Sequence, residues 1–137
     1  MPHLPVFVYG TLRPGQHNYA RYLRGHTLTE QPARLLGAAL YAGPGYPYAV
    51  PAAHSTVHGD LVTLTLDHYA ATLAALDALE GCAPGAPDNL YDRVAREVVQ
   101  ANGAHTQAWV YLAAPALARR LRSTGTLIPN GRWPMAT

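Results

Sequence analysis

Apolar and polar positions alternate in short runs along this chain, and Gly or Pro ends most of them. Pro5-Val6-Phe7-Val8-Tyr9 is β-branched and aromatic, which predicts a buried strand stopping at Gly10. Thr11-Leu12-Arg13-Pro14-Gly15 reads as a turn, with Pro and Gly in typical turn positions. Residues 17–24 predict a short helix with Tyr19, Tyr22 and Leu23 on one side, and residues 35–41 a second strand. Gly43-Pro44-Gly45-Tyr46-Pro47-Tyr48 has two Pro and two Gly in six residues, which predicts irregular chain. Residues 57–66 alternate as a third strand. Asp67 is placed to cap a helix over 68–80, and Gly81 to end it. A Gly/Pro/Asp/Asn loop over 81–90 leads to strands at 91–100 and 108–113, with Asn102-Gly103 as the hairpin signal between them. Pro115 suits the first turn of a helix over 115–123, whose Arg119, Arg120 and Arg122 read as a solvated face near the favourable end of the dipole. The early strands lie too close in sequence for repeated βαβ crossovers. The pattern predicts an α+β fold with a mixed or antiparallel sheet able to curl into a barrel.

One acid breaks this pattern. Tyr69, Leu73 and Leu76 share a face of the predicted 68–80 helix, and the next position on that stripe is Glu80. A carboxylate there faces the core or a cavity, at the end of the helix where the dipole disfavours an anion. Its pKa is expected to rise, as suits a general base near neutral pH. A solvated Glu at a frayed helix end fits the same spacing.

A second feature is Tyr9-Gly10-Thr11-Leu12, where a buried strand enters a Gly turn. Such turns expose consecutive N–H groups that can hold a carboxylate or phosphate, and Gly lets a ligand approach the backbone. An ordinary strand-ending turn has the same sequence.

Composition removes most other chemistry. The 137 residues suit one domain, 1–137, with a core that needs no disulfide or structural metal. Apolar residues are 49% and charged residues 13%, which argues against disorder. The ten basic residues are all Arg, and against eight acids they leave a net charge of +2. They are scattered, so no nucleic-acid partner is expected. The single Cys82 permits no intrachain disulfide and no Cys-based zinc site, and reads as a small apolar filler. With no signal-like start and no membrane-length apolar run, a cytoplasmic protein without a membrane partner is expected. Ser55 and Ser123 are the only serines, and neither lies in a nucleophile elbow. No phosphate-binding Gly motif appears. His54, His58 and Asp60 are close in sequence, but a spacing of four in a strand does not put two imidazoles on one face, so no metal site is expected.

Val6-Phe7-Val8-Tyr9-Gly10-Thr11-Leu12-Arg13-Pro14-Gly15-Gln16 resembles the opening strand and loop of the γ-glutamylcyclotransferase-like superfamily. Leu76-Asp77-Ala78-Leu79-Glu80-Gly81 followed by Tyr91-Asp92-Arg93 resembles its second signature. Gly59-Asp60-Leu61-Val62 and Trp109-Val110-Tyr111 are similar to further family strands. The Tyr-Gly-Thr-Leu form looks closest to the γ-glutamylamine cyclotransferase branch. The resemblance implies a small mixed β-barrel with short flanking helices and one cavity. It implies Glu80 as catalytic acid/base, Tyr9, Gly10, Thr11 and Leu12 as the loop holding the γ-glutamyl group, and Tyr91 and Tyr111 near the cavity. The implied reaction turns a small γ-glutamyl amide into 5-oxoproline and a free amine by attack of the substrate's own α-amine, without a metal or organic cofactor. Such a reaction needs no enzyme nucleophile, in keeping with the missing Ser and Cys arrangements. Arg13 and Gln16 stand beside the loop as candidates for steering substrate, and the 81–90 loop as a candidate for specificity. The competing expectation is a non-catalytic small-molecule binding module on the same fold.

Overall fold

A computed structural model describes residues 3–82 and 89–133. Six strands are present among them: β1 (Val6–Val8), β2 (Thr27–Ala42), β3 (Pro47–Leu64), β4 (Tyr91–Gln100), β5 (His105–Ala113) and β6 (Leu127–Ile128). Helix α1 spans Tyr69–Leu79 and α2 spans Pro115–Thr124. Residues Tyr19–Leu23 form one wide helical turn, closed by the Arg24 N–H on the Tyr19 carbonyl at 2.9 Å. The strand order is β3-β1-β5-β4-β2-β6, and β2 also pairs with β3. Five strands therefore close into a barrel, with β6 added to β2. The β1–β5 pairing is parallel and the other described pairings are antiparallel, so the barrel is mixed, as expected.

The two faces of β1 serve two cores, as strand alternation dictates. Phe7 and Tyr9 join Leu35, Leu40, Val57, Leu61, Val98 and Val110 in one cluster. Val6 and Val8 join Tyr69, Leu73 and Leu76 of α1 and Leu117 and Leu121 of α2 in the other. At Gly59 on β3 there is no room for a side chain, because a Cβ would lie 2.2 Å from the Val8 carbonyl oxygen.

Several expected boundaries move. The strand predicted over 35–41 begins at Thr27, because its polar first half pairs with β3 from Thr29↔Thr63 to Arg34↔His58. The strand predicted over 57–66 begins at Pro47 and ends at Leu64, so Pro47 and Tyr48 belong to a strand and not to irregular chain. Pro is tolerated as the first residue of a strand. Between the two halves of this long pair, Leu36 faces Thr56 and Ala38 faces Pro51. The extra β3 residues bulge out opposite Gly37, and His54 lies among them with φ 67°. Asp67 does not cap α1: His68 holds the cap position and no side chain bonds there. Gly81 does end α1, with φ 64°. Its N–H bonds the Ala78 carbonyl at 3.2 Å and the Cys82 N–H bonds that of Asp77 at 2.9 Å, a Schellman closure that fixes the backbone of Glu80. The hairpin at Asn102-Gly103 forms as expected, with Gly103 at φ 88°. Arg119, Arg120 and Arg122 are exposed on α2. Among the described residues, no helix is long and apolar enough to cross a membrane.

Candidate active site

The end of β1 with the loop after it, the turn into β3, the end of α1, Leu90 with the start of β4, and Tyr111 of β5 line a cavity of about 550 Å³. Tyr9, Gly10, Thr11, Leu12, Glu80, Tyr91 and Tyr111 all line it, so the seven residues that the resemblance places at a site come together, while the steering candidates Arg13 and Gln16 are not among the described lining residues. His17, Asn18 and Tyr46 line it too and were not singled out. The only sequence sign of Tyr46 is an aromatic held between Pro and Gly. Asn18 carries no such sign; its Nδ2 donates to Thr11 Oγ1 at 2.8 Å across the loop.

Glu80 sits at the C-terminal cap of α1, one position past the last helical residue. Burial pushes its carboxyl up from 4.5 to about 7. Among the described residues, no Arg lines the cavity and no donor bonds the Glu80 side chain. The helix end adds carbonyl dipoles of the wrong sign for an anion. A group with that pKa is present near neutral pH as both base and acid.

This shift has a consequence for stability. The folded protein holds the Glu80 proton between pH 4.5 and about 7, where the unfolded chain has released it. Stability from this group is therefore lost as pH rises through that window. Discounting for partial exposure, about 2 kcal/mol is expected to disappear. Urea unfolding at a series of pH values checks this: the Glu80→Gln variant is expected to lack that loss, and to be the more stable protein at about pH 8.

The three tyrosines are protonated phenols whose protons are already committed. Tyr9 donates to the Tyr111 carbonyl and accepts from the Ala49 N–H at 3.3 Å. Tyr91 donates to the Pro47 carbonyl at 2.7 Å, and Tyr111 to Asp77 at 2.6 Å. Burial holds each phenol well above its usual range, aided at Tyr9 and Tyr91 by neighbouring charge and at Tyr111 by the Asp77 hydrogen bond. They offer ring faces and oxygen lone pairs to a ligand, and do not act as acids near neutral pH. Asp77 in turn takes a two-point bond from Arg93, at 2.8 and 3.2 Å, and the guanidinium lies 4.3 Å over the Trp109 ring. This network ties the last turn of α1 to β4 and β5 and so fixes Glu80 relative to Tyr111.

The Gly10–Leu12 loop keeps its donors free. Among the described residues, the N–H groups of Gly10, Thr11 and Leu12 bond no protein acceptor, while the Gly10 carbonyl accepts from Arg13 N–H at 3.1 Å. Consecutive free N–H groups at a cavity wall suit a carboxylate or a developing oxyanion. The need for Gly at position 10 is different from the one expected. A Cβ there would stand 2.9 Å from the Pro47 ring, so a neighbouring strand, not a ligand, makes the close approach. Arg13 does not face the cavity: its Nε bonds Asp60 at 2.8 Å and its Nη1 the Trp133 carbonyl at 3.0 Å. Of the 81–90 loop, residues 83–88 lie outside the described residues, while Gly81 and Leu90 line the cavity. Cys82 is partly buried against the core. Among the described residues, no three His, Cys, Asp or Glu side chains gather as a metal-ligand set.

Comparison with known proteins bears on the family and the fold. Residues 6–135 match the family described as gamma-glutamyl cyclotransferase, AIG2-like. The chain is 34% identical over 113 residues to the gamma-L-glutamyl-butirosin B gamma-glutamyl cyclotransferase of Niallia circulans. That match covers 82% of this chain and 67% of the relative, so the chain spans about two thirds of the relative's length. Among solved structures, an AIG2-like protein of Mus musculus superposes with a TM-score of 0.59 at 27% identity, covering 82% of this chain and 80% of the other. A protein of Pyrococcus horikoshii superposes with a TM-score of 0.60 at 24% identity, covering 95% and 89%, which speaks to the fold alone.

Proposed function

The chain belongs to the gamma-glutamyl cyclotransferase, AIG2-like family, and from that premise we propose that it converts a γ-glutamylamine into 5-oxoproline and a free amine. The observation that carries this reading is Glu80, a carboxyl raised to about 7 in a cavity also lined by a loop with unbonded N–H groups. The substrate's α-ammonium is not a nucleophile until it loses a proton, and Glu80 is the only carboxylate among the described lining residues. The freed amine forms a bond to the γ-carbonyl carbon, and the bond from that carbon to the leaving nitrogen breaks. Two protons leave the α-nitrogen and two reach the leaving nitrogen, carried in turn by Glu80. The Gly10–Leu12 N–H groups hold the α-carboxylate or the carbonyl oxygen. Most of the rate comes from holding amine and carbonyl in the attacking geometry, since both belong to one molecule.

The lining also bears on the leaving group. A γ-glutamyl amino acid brings a second carboxylate, and the described lining has no Arg to receive it. A γ-glutamyl derivative of an uncharged or cationic amine meets no such penalty. The relative's name, with γ-L-glutamyl-butirosin B as its substrate, supports a bulky partner of this kind, and a cavity of about 550 Å³ has the room.

A panel of γ-glutamyl compounds read by mass spectrometry tests this. The expected result is 5-oxoproline with the free amine, and a kcat/KM for γ-glutamylamines about tenfold or more above that for γ-glutamyl amino acids, the cost of about one unpaired charge. Tight binding of the panel without product would replace the enzyme by a binding module.

A further inference from the structure

A second hollow of about 420 Å³ shares no lining residue with the Glu80 cavity among the described residues and touches the Gly10–Gly15 loop at Arg13. Arg13, Arg34, His58, Asp60 and Arg132 stand around it. Only one of the three guanidiniums is neutralised: Arg13 pairs with Asp60 at 2.8 Å. Arg34 and Arg132 are exposed, and among the described residues neither side chain makes an ion pair or hydrogen bond. The backbone brings them together. Arg34 is the cross-strand partner of His58, and the His58 N–H bonds the Gly131 carbonyl at 2.8 Å, which holds Arg132 against the strand. Gly131 is itself built for this approach, since a Cβ there would lie 2.0 Å from the Thr56 carbonyl oxygen. Burial and then the charges of Arg132, Arg34 and Arg13 hold the His58 imidazole below its usual range, so all three cations act at one place.

Three arginines and one acid leave this hollow with two excess positive charges, which is the net charge of the entire sequence. The remaining seven arginines and seven acids cancel. Like charges gathered this way repel each other and cost stability unless an anion joins them. A carboxylate would compensate one of the two free guanidiniums. A phosphate monoester carries nearly two charges and three acceptor oxygens, which suits two guanidiniums and a neutral imidazole N–H.

We propose that this hollow binds the phosphate group of a small phosphorylated molecule, at a site separate from the Glu80 cavity. The three arginines of this hollow surround one concave spot and do not extend into a stripe, which favours a small ligand over a nucleic acid. The site adjoins the cavity loop through Arg13, whose N–H bonds the Gly10 carbonyl at 3.1 Å. The inference stands whatever reaction the Glu80 cavity performs.

Titration of the full-length protein with inorganic phosphate and with pyrophosphate, followed by amide shifts in NMR at low salt, tests it. Saturable shifts are expected at His58–Asp60 and Arg132–Trp133, with a Kd of about 1 mM for pyrophosphate. Binding is expected to weaken about tenfold or more in the Arg34→Gln/Arg132→Gln variant and to stay unchanged in Arg119→Gln, an exposed position on α2. Both replaced side chains are exposed, and the dispersion of the same spectra reports that the variant is folded. Shifts that do not saturate, binding equal in the double variant, or tighter binding of duplex DNA than of pyrophosphate through these arginines would each overturn the proposal.

Discussion

Replacing Glu80 by Gln is expected to lower 5-oxoproline release about a thousandfold while the barrel stays folded. Gln has nearly the shape of Glu but cannot accept the ammonium proton or return one to the leaving nitrogen. The backbone of residue 80 is held by the Schellman closure at Ala78 and Asp77, which the substitution does not touch. No protein donor among the described residues loses a partner, because none bonds the Glu80 side chain. The loss should fall on kcat, with KM little changed, since the N–H groups of the Gly10–Leu12 loop still hold the substrate. Steady-state kinetics beside a thermal melt reads both parts. Turnover within about tenfold of the parent protein would show that another group moves the proton.

The second large effect is expected at Gly59, far from any proton transfer. Gly59→Ala places a methyl carbon 2.2 Å from the Val8 carbonyl oxygen and 2.9 Å from the Phe7 ring. Neither can yield. Phe7 and Val8 are buried, and β1 is held on both sides, by β3 from Val6↔Val62 to Val8↔Asp60 and by β5 at Val6↔Trp109. The only relief is to separate β1 from β3. We expect a loss of about 3 kcal/mol or more, seen as a fall in Tm of about 10 °C or more. Since β1 leads directly into Tyr9–Leu12, activity should fall even in protein that remains folded. A melt within about 3 °C of the parent would mean that the β1–β3 spacing is looser than described.

What could be read from the sequence was what local pattern decides. The β-branched run of β1 and the apolar stripe of α1 both form as read, and the Gly after α1 takes the positive φ its position requires. The stripe also placed Glu80, because a carboxylate on an apolar face shows in the spacing alone. Pairing across long distances could not be read. The first half of β2 is polar, and only its partner β3 makes it a strand. The two residues of β6 have no pattern of their own and exist because Leu40 and Tyr41 lie beside them. The tyrosine hydroxyls were opaque for the same reason: Tyr9 reaches a carbonyl 102 residues away. Arg13 shows the converse, a residue beside the cavity loop in sequence whose side chain is taken up by Asp60 and does not line the cavity.

The central claim is that the substrate's own amine, relieved of its proton by Glu80, does the work of a nucleophile. Turnover of a γ-glutamylamine in heavy-oxygen water tests this most directly. The expected product is 5-oxoproline with no oxygen from solvent, because the γ-carbonyl oxygen stays in place throughout. Glutamate carrying one solvent oxygen would contradict it, since water would then be the nucleophile.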